Sequence, residues 1–261
     1  MDYNLNILNI NNLSVGYKTG KQNAVLIDDI TTSVNRGELI ALIGRNGTGK
    51  STLLKTIVGL NKKISGQIIF NNTDIEDFTV SKLAKIISFV STAKVFVPNA
   101  KVRDIIALGR GVYLNWYGKL NNNDKNIINQ AVNLVGIEHL QNKNFSQISD
   151  GERQRVMIAR AIAQDTDIIV LDEPTAFLDL PNRFMVFSIL KNLAHEKNKT
   201  IIFSTHDLEN ILDNVNKIWL LDSQKMIISD KQNFIDNNLF DSFLSDTNLY
   251  FDKVDNKIKN L

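Results

Sequence analysis

The segment Gly44-Arg45-Asn46-Gly47-Thr48-Gly49-Lys50-Ser51 follows the pattern G-x-x-x-x-G-K-[ST]. An apolar run (Glu38-Leu39-Ile40-Ala41-Leu42-Ile43) precedes it, and a helical pattern (Thr52-Leu53-Leu54-Lys55-Thr56-Ile57-Val58) follows. A glycine turn that merely happens to precede a lysine needs neither flank. With both, the reading is a strand, a loop and a helix. The glycines let backbone N–H groups turn inward around an anion, and the helix N-terminus adds positive potential. In such a loop Lys50 reaches the β- and γ-phosphates of a nucleotide and the Ser51 hydroxyl holds Mg²⁺. Gly44, Arg45, Asn46, Gly47, Thr48, Gly49, Lys50, Ser51 and Thr52 are therefore the candidate nucleotide-binding residues.

A chain of 261 residues can bury a substantial core as one large α/β domain, or as a domain with a smaller lobe. Its 30 basic and 28 acidic residues leave a formal net charge of +2, which argues against an electrostatic drive toward nucleic acid. There is no cysteine, so disulfides and thiolate metal sites are excluded. The start, Met1-Asp2-Tyr3-Asn4-Leu5-Asn6, lacks the basic and apolar regions of a signal peptide. No apolar run approaches the roughly 20 residues that cross a bilayer. A role at a membrane would then come from docking on another protein.

Along the chain, residues 5–35 alternate as strands (Leu5, Ile7; Leu13, Val15, Tyr17) around a polar break at Lys18-Thr19-Gly20-Lys21. A hairpin-like stretch follows at Gly66–Asn72. Residues 100–145 read as helices, with Ile127, Ala131, Leu134 and Val135 on one face and Gly136 as a C-terminal cap. Strand signals return at Asp167–Leu171 and Thr200–Ser204. Apolar β-branched runs separated by helices predict a parallel sheet buried on both faces.

The run Ile168-Ile169-Val170-Leu171 ends in Asp172-Glu173. Acids at the C-terminal edge of a buried parallel strand lie where such sheets bind ligands. Asp172 is the candidate metal carboxylate. Glu173, one residue on, can accept a proton from an attacking water. A solvated acidic turn is the plainer reading of these two residues alone, and the upstream phosphate loop weighs against it.

Between these motifs lies Ile148-Ser149-Asp150-Gly151-Glu152-Arg153-Gln154-Arg155, which resembles the L-S-G-G-Q signature of ATP-binding-cassette ATPases. Asp179 after Ala176-Phe177-Leu178 is similar to that family's D-loop, and His206 in Ser204-Thr205-His206-Asp207 to its switch histidine. Tyr17 is similar to the aromatic that stacks on adenine. The resemblance runs from about residue 7 to 230. Val102-Arg103-Asp104-Ile105-Ile106-Ala107-Leu108-Gly109-Arg110 is similar to a segment of the cassettes that serve iron–siderophore, haem and cobalamin importers. Each residue also has a plain reading: an edge aromatic for Tyr17, a helix cap for Ser149 with Glu152 in the first turn, a surface histidine for His206. His139 and His195 have no such neighbours and are read as ordinary residues.

The resemblance implies a phosphate-loop α/β fold over residues 5–235, with a parallel core, an N-terminal antiparallel β subdomain and a helical subdomain inserted at about 93–160. Residues 236–261 form an extension whose purpose the sequence does not define. The implied catalytic residues are Lys50, Glu173 and His206, and the implied metal contacts are Ser51, Asp172 and Thr92. Ser149, Gly151, Glu152 and Asp179 would meet the nucleotide across a head-to-tail dimer. Two departures stand out. Thr92 takes the place of a metal-reaching Gln and would need a bridging water. Asp150 and Glu152 put acids where Gly and Gln are common, so Asp150 is expected to face outward while the Ser149 and Gly151 N–H groups serve the phosphate.

The implied function is the Mg²⁺-dependent ATPase subunit of an importer for an iron chelate, haem or cobalamin. It would sit on the inner face of the plasma membrane beneath a permease, in a system with a periplasmic or lipid-anchored substrate-binding protein and with no nucleic-acid partner. Three alternatives remain. An exporter or lipid-extraction ATPase would share these motifs. A cassette acting on DNA or the ribosome would carry a long coiled coil or a second phosphate loop, and neither is present. A regulatory binder without hydrolysis would not need the Asp172-Glu173 pair.

Overall fold

The computed structural model describes residues 6–19, 22–93, 95, 97–114, 116–207, 211, 214–244, 248–252 and 257–260. Leu5, Gly20 and Lys21, read above into the first strand and its turn, lie outside the described residues. Strands β1 (Asn6–Thr19) and β2 (Gln22–Asn35) pair antiparallel, and β4 (Ser65–Phe70) and β5 (Thr73–Asp74) extend them to a sheet ordered β2-β1-β4-β5. Asn71 and Asn72 make the turn between β4 and β5 with φ of +45° and +67°. Positive φ at both central residues matches the twist of a tight hairpin, and asparagine tolerates it.

The second sheet joins β3 (Leu39–Gly44), β6 (Ile87–Val90), β7 (Ile168–Leu171), β8 (Thr200–Ser204), β9 (Lys217–Asp222) and β10 (Lys225–Asp230) in the order β10-β9-β3-β8-β7-β6. Only β10 runs antiparallel to its neighbour. Alternation along these strands divides them between two cores. Leu39, Ala41, Ile43, Ile169, Leu171, Ile201 and Phe203 face one side. Ile40, Leu42, Ile168, Val170, Ile202 and Trp219 face the other. That is why the strands read as unbroken apolar runs. The fold is the α/β cassette architecture expected from the motifs.

Helix α1 (Lys50–Ile57) and the antiparallel subdomain cover one face through Leu53, Leu54 and Ile57. The other face packs α3 (Val102–Ala107), α4 (Asn122–Leu134), α5 (Asp150–Ala163) and α6 (Leu180–His195), numbered after the four-residue α2 (Val80–Leu83). In α4 Ala131, with Val135 just beyond the helix, is buried as read from sequence, Asp124, Ile128 and Val132 complete the buried stripe, and Ile127 and Leu134 are only partly buried. Ile127 and Leu134 instead line a groove with Leu193 and Lys197. Asp124, a polar residue, takes an inward position opposite Arg110. Gly136 follows the helix with φ +66°, as a capping glycine does.

Phe234 from the helix Lys231–Asp236, Phe240 and Leu244 from the helix Leu239–Leu244, and Phe251 from β11 (Leu249–Asp252) all join the α-helical core. The rings of Phe234 and Phe240 meet edge to face at 4.6 Å, and those of Phe240 and Phe251 stack at 4.7 Å. The C-terminal stretch is thus packed onto the core that holds the parallel sheet. β12 (Lys257–Asn260) pairs with β11 as a separate two-stranded ribbon. No described helix is long and apolar enough to cross a membrane.

Candidate nucleotide site

The phosphate loop leaves β3 and enters α1 as its sequence requires. Gly47 and Gly49 hold φ of +81° and +102°, where a side chain would be strained, and Gly49 caps α1. Lys50 is 5% exposed, and its Nζ donates to the carbonyls of Gly44 (2.8 Å) and Arg45 (3.0 Å). Burial pushes its pKa down, while the carboxylates of Glu173 and Asp172 pull the other way. Thr48 Oγ1 donates back to the Arg45 carbonyl. The Arg45 guanidinium reaches out of the loop to the Phe243 carbonyl at 3.4 Å, which links the loop to the C-terminal stretch.

Parallel pairing of β3, β8 and β7 brings distant motifs to one sheet edge. Ser51 Oγ donates to Asp172 Oδ1 at 3.0 Å across 121 residues of sequence, and Asp172 is 1% exposed. Glu173 Oε1 lies 2.7 Å from His206 Nε2. The fold thereby brings Ser51 to Asp172 and His206 to Glu173. Ser204, which sequence reasoning passed over, donates to Asp172 Oδ1 and accepts the Glu173 N–H, each at 2.8 Å. Its place at a strand end next to Thr205-His206 was the available signal.

Tyr17 projects a half-exposed ring beside the loop, and its hydroxyl shares a 2.9 Å hydrogen bond with Thr52 Oγ1. An exposed aromatic face tied to the first turn of α1 is suited to stack on a base. Thr92 is exposed just past β6 and lines a pocket with Glu173, Asp150, Met157 and Phe177. It therefore shares the Glu173 side of the site.

Ser149 caps α5 in a reciprocal box: its Oγ accepts the Glu152 N–H at 3.2 Å, and its own N–H donates to Glu152 Oε2 at 2.8 Å. That donation differs from the expectation that the Ser149 N–H serves a phosphate. Glu152 fills it, which leaves the serine hydroxyl proton and the Gly151 N–H as donors on this turn. The Ser149 N–H outweighs burial and holds the Glu152 carboxyl below its usual range. Asp150 is exposed, in line with the expectation that it faces outward. It pairs with Arg153 at 2.8 Å and lines the Thr92 pocket, so its charge is balanced within the turn.

Asp179 caps α6 by accepting from the N–H and side-chain amide of Asn182, at 3.1 and 2.6 Å. A Cβ at Gly151 would fall 2.9 Å from that Asn182 side chain. That side chain would have to shift to make room, so the signature turn and the first turn of α6 lie close together here, and Asn182 is a second residue the sequence reading missed. Phe177, at φ +62° and 86% exposed, stands out from the same turn.

The residues present fit a divalent cation. A buried carboxylate and a hydroxyl converge, and among the described residues no cluster of three or more His, Cys, Asp or Glu gathers. Two protein oxygens, with phosphates and water completing the shell, is the habit of Mg²⁺.

Comparison with known proteins agrees with this geometry. Residues 27–176 match the family model described as ABC transporter. An uncharacterized ABC transporter ATP-binding protein of Methanocaldococcus jannaschii is 39% identical over 97% of this chain and 89% of its own. The iron(3+)-hydroxamate import ATP-binding protein of Bacillus subtilis is 32% identical over 79% and 75% of the two chains. The molybdate import ATP-binding protein of Haemophilus influenzae is 32% identical over 87% and 84%. Among solved structures, a metal-chelate type ABC transporter in an inward-facing conformation superposes with a TM-score of 0.80 at 30% identity, covering 92% of this chain and 89% of that one. The chain therefore belongs to the ABC transporter family and is one of its ATP-hydrolysing subunits.

Proposed function

We propose that this subunit energises import of a metal chelate (an iron chelate, haem or cobalamin) through a separate permease. The similarity to a metal-chelate type transporter over nine-tenths of the chain carries this reading, and the iron-hydroxamate relative supports it. ATPases of this family dimerise and partner with membrane permease components. Here the subunit would work in a head-to-tail dimer on the cytoplasmic face, in a system that includes a substrate-binding protein. Each ATP would lie between the phosphate loop of one copy and the Ser149–Gly151 turn of the other, with Asp179 at the seam.

The residues divide the work. Tyr17 carries the base. Gly44–Thr52 wrap the phosphates, and the Lys50 ammonium exchanges its two carbonyl acceptors for phosphate oxygens. Ser51 and Asp172 would hold Mg²⁺, which neutralises charge on the β- and γ-phosphates when bound. Thr92 would approach that metal through a water. Glu173 accepts the proton of the attacking water, and His206, hydrogen-bonded to it, orients the carboxylate and faces the γ-phosphate.

The molybdate relative favours a second reading, in which the cargo is an oxyanion. Uptake into vesicles containing the genetically adjacent permease tests both, with ferric hydroxamate, haem, cobalamin and molybdate as labelled cargoes. ATP-dependent accumulation of one of the first three, lost in Lys50→Ala, is the expected result. Accumulation of molybdate alone, or movement in the export direction, overturns the chelate reading.

A further inference from the structure

Ser204 ends β8 with no exposed surface, and its hydroxyl lies between the two acidic residues of the neighbouring strand. It donates to Asp172 Oδ1 and accepts the Glu173 N–H. Each bond runs in the favourable sense, hydroxyl proton to carboxylate and amide proton to lone pair. Asp172 Oδ1 also receives the Ser51 hydroxyl, so one chain of hydrogen bonds joins α1, β7 and β8.

Glu173 is the residue at which the chain turns off β7. Its φ is +47°, an uncommon value for a non-glycine residue, held only where surroundings dictate it. Ser204 holds its amide, and His206, two residues along from Ser204, holds its carboxylate. The adjacent Thr205 does not duplicate this, since its hydroxyl caps the Asp207 N–H at 3.0 Å.

We propose that Ser204 is a positioning residue for ATP hydrolysis. Its hydroxyl fixes the rotamer of Asp172 and the backbone of Glu173 that aims the second carboxylate. It acts through those two residues and touches neither nucleotide nor metal. Their roles rest on the function proposed above. Without the hydroxyl, a part-buried N–H loses its acceptor and Asp172 loses one of its two donors. The ladder bonds of β8 to β3 and β7 are backbone bonds and do not need the side chain.

The test compares Ser204→Ala, Ser204→Val and Ser204→Thr, together with Glu173→Gln alone and combined with Ser204→Ala. Thr and Val have nearly the same shape and differ in the hydroxyl, so their comparison separates hydrogen bonding from volume. Phosphate release yields kcat and KM, and titration with ATP in EDTA yields affinity independently of turnover. Ser204→Ala and Ser204→Val should lower kcat by about tenfold or more, with KM and Mg²⁺-free affinity within about twofold of wild type. Ser204→Thr should turn over well above Ser204→Val. In the Glu173→Gln background Ser204→Ala should lower the residual rate by a smaller factor than in wild type, because the share that acts through Glu173 is already lost while the share through Asp172 persists. Wild-type kcat in Ser204→Ala, even with a lowered melting temperature, overturns the proposal. So does Ser204→Thr turning over no faster than Ser204→Val, or a full further loss in the double variant. Normal hydrolysis by Glu173→Gln alone would instead remove the role given to Glu173, whatever Ser204 does.

Discussion

Lys50 and Tyr17 show how single residues are prepared for a nucleotide. The Lys50 ammonium is already desolvated and held by two loop carbonyls, so phosphate oxygens replace existing partners and little side-chain freedom is lost on binding. Lys50→Ala should reduce phosphate release to background, since the other cation of the loop, Arg45, is engaged by the Phe243 carbonyl. Retained turnover would contradict the assignment. Tyr17→Ala should weaken ATP binding by about 1–3 kcal/mol, the worth of one base stacked on an aromatic side chain. Tyr17→Phe should keep most of that affinity, losing only the bond that steadies the ring against Thr52. Calorimetric titration distinguishes the three proteins, and an unchanged affinity in Tyr17→Ala would end the stacking role.

Among elements, the helical face depends on one buried ion pair. Arg110, the last residue of the importer-like segment, donates to Asp124 Oδ1 at 2.9 Å and to the Ala163 carbonyl at 3.0 Å, and lies 3.9 Å over the Tyr113 ring. Asp124 also accepts the Asn121 N–H at 3.0 Å at the start of α4. One guanidinium thereby ties α4 to the end of α5. Asp124→Ala strands that charge in a dry site and should destabilise the fold by about 3–5 kcal/mol, read as a lower melting temperature. Burial pushes the Asp124 carboxyl up, but the Asn121 N–H and the Arg110 guanidinium outweigh it and hold it below the usual range. Its contribution to stability is therefore present above the ordinary carboxylate pKa and is lost as pH falls through the lowered value. Wild type should lose more stability than Asp124→Ala as acid is added through that window, and parallel losses would contradict the pair's role.

For the whole molecule the central expectation is a nucleotide-dependent dimer. Glu173→Gln removes the proposed proton acceptor but leaves Lys50, Ser51 and Asp172 intact. Hydrolysis should fall by about 10²–10⁴-fold, the usual worth of a general base, while ATP binding persists. Two ATP molecules then hold two copies together, each shared with Ser149 and Gly151 of the other copy. Size-exclusion chromatography with light scattering should show a dimer with ATP and a monomer without it. Adding Ser149→Arg places bulk and charge on the shared surface and should keep the protein monomeric. A Glu173→Gln protein that stays monomeric at saturating ATP would count against the shared site.

The local features were legible from sequence because their causes are local. The loop glycines, the Ser149 cap, the apolar runs of β3, β7 and β8, and the acids ending β7 each follow from dihedral preference, hydrogen bonding or side-chain hydrophobicity within a few residues. The resemblance then supplied their order and the family. What only the tertiary structure decided lies between segments distant in sequence. Asp124 is buried in α4 at a position the apolar periodicity did not mark, paired there with Arg110 from outside the helix. The C-terminal aromatics join the main core through Phe240, which meets Phe234 edge to face and stacks on Phe251. Glu152 takes the Ser149 N–H that a phosphate was expected to use. Ser204 gains its place only when β8 lies beside β7, since a hydroxyl acts on whatever the fold sets within hydrogen-bond reach, and sequence spacing does not encode that distance.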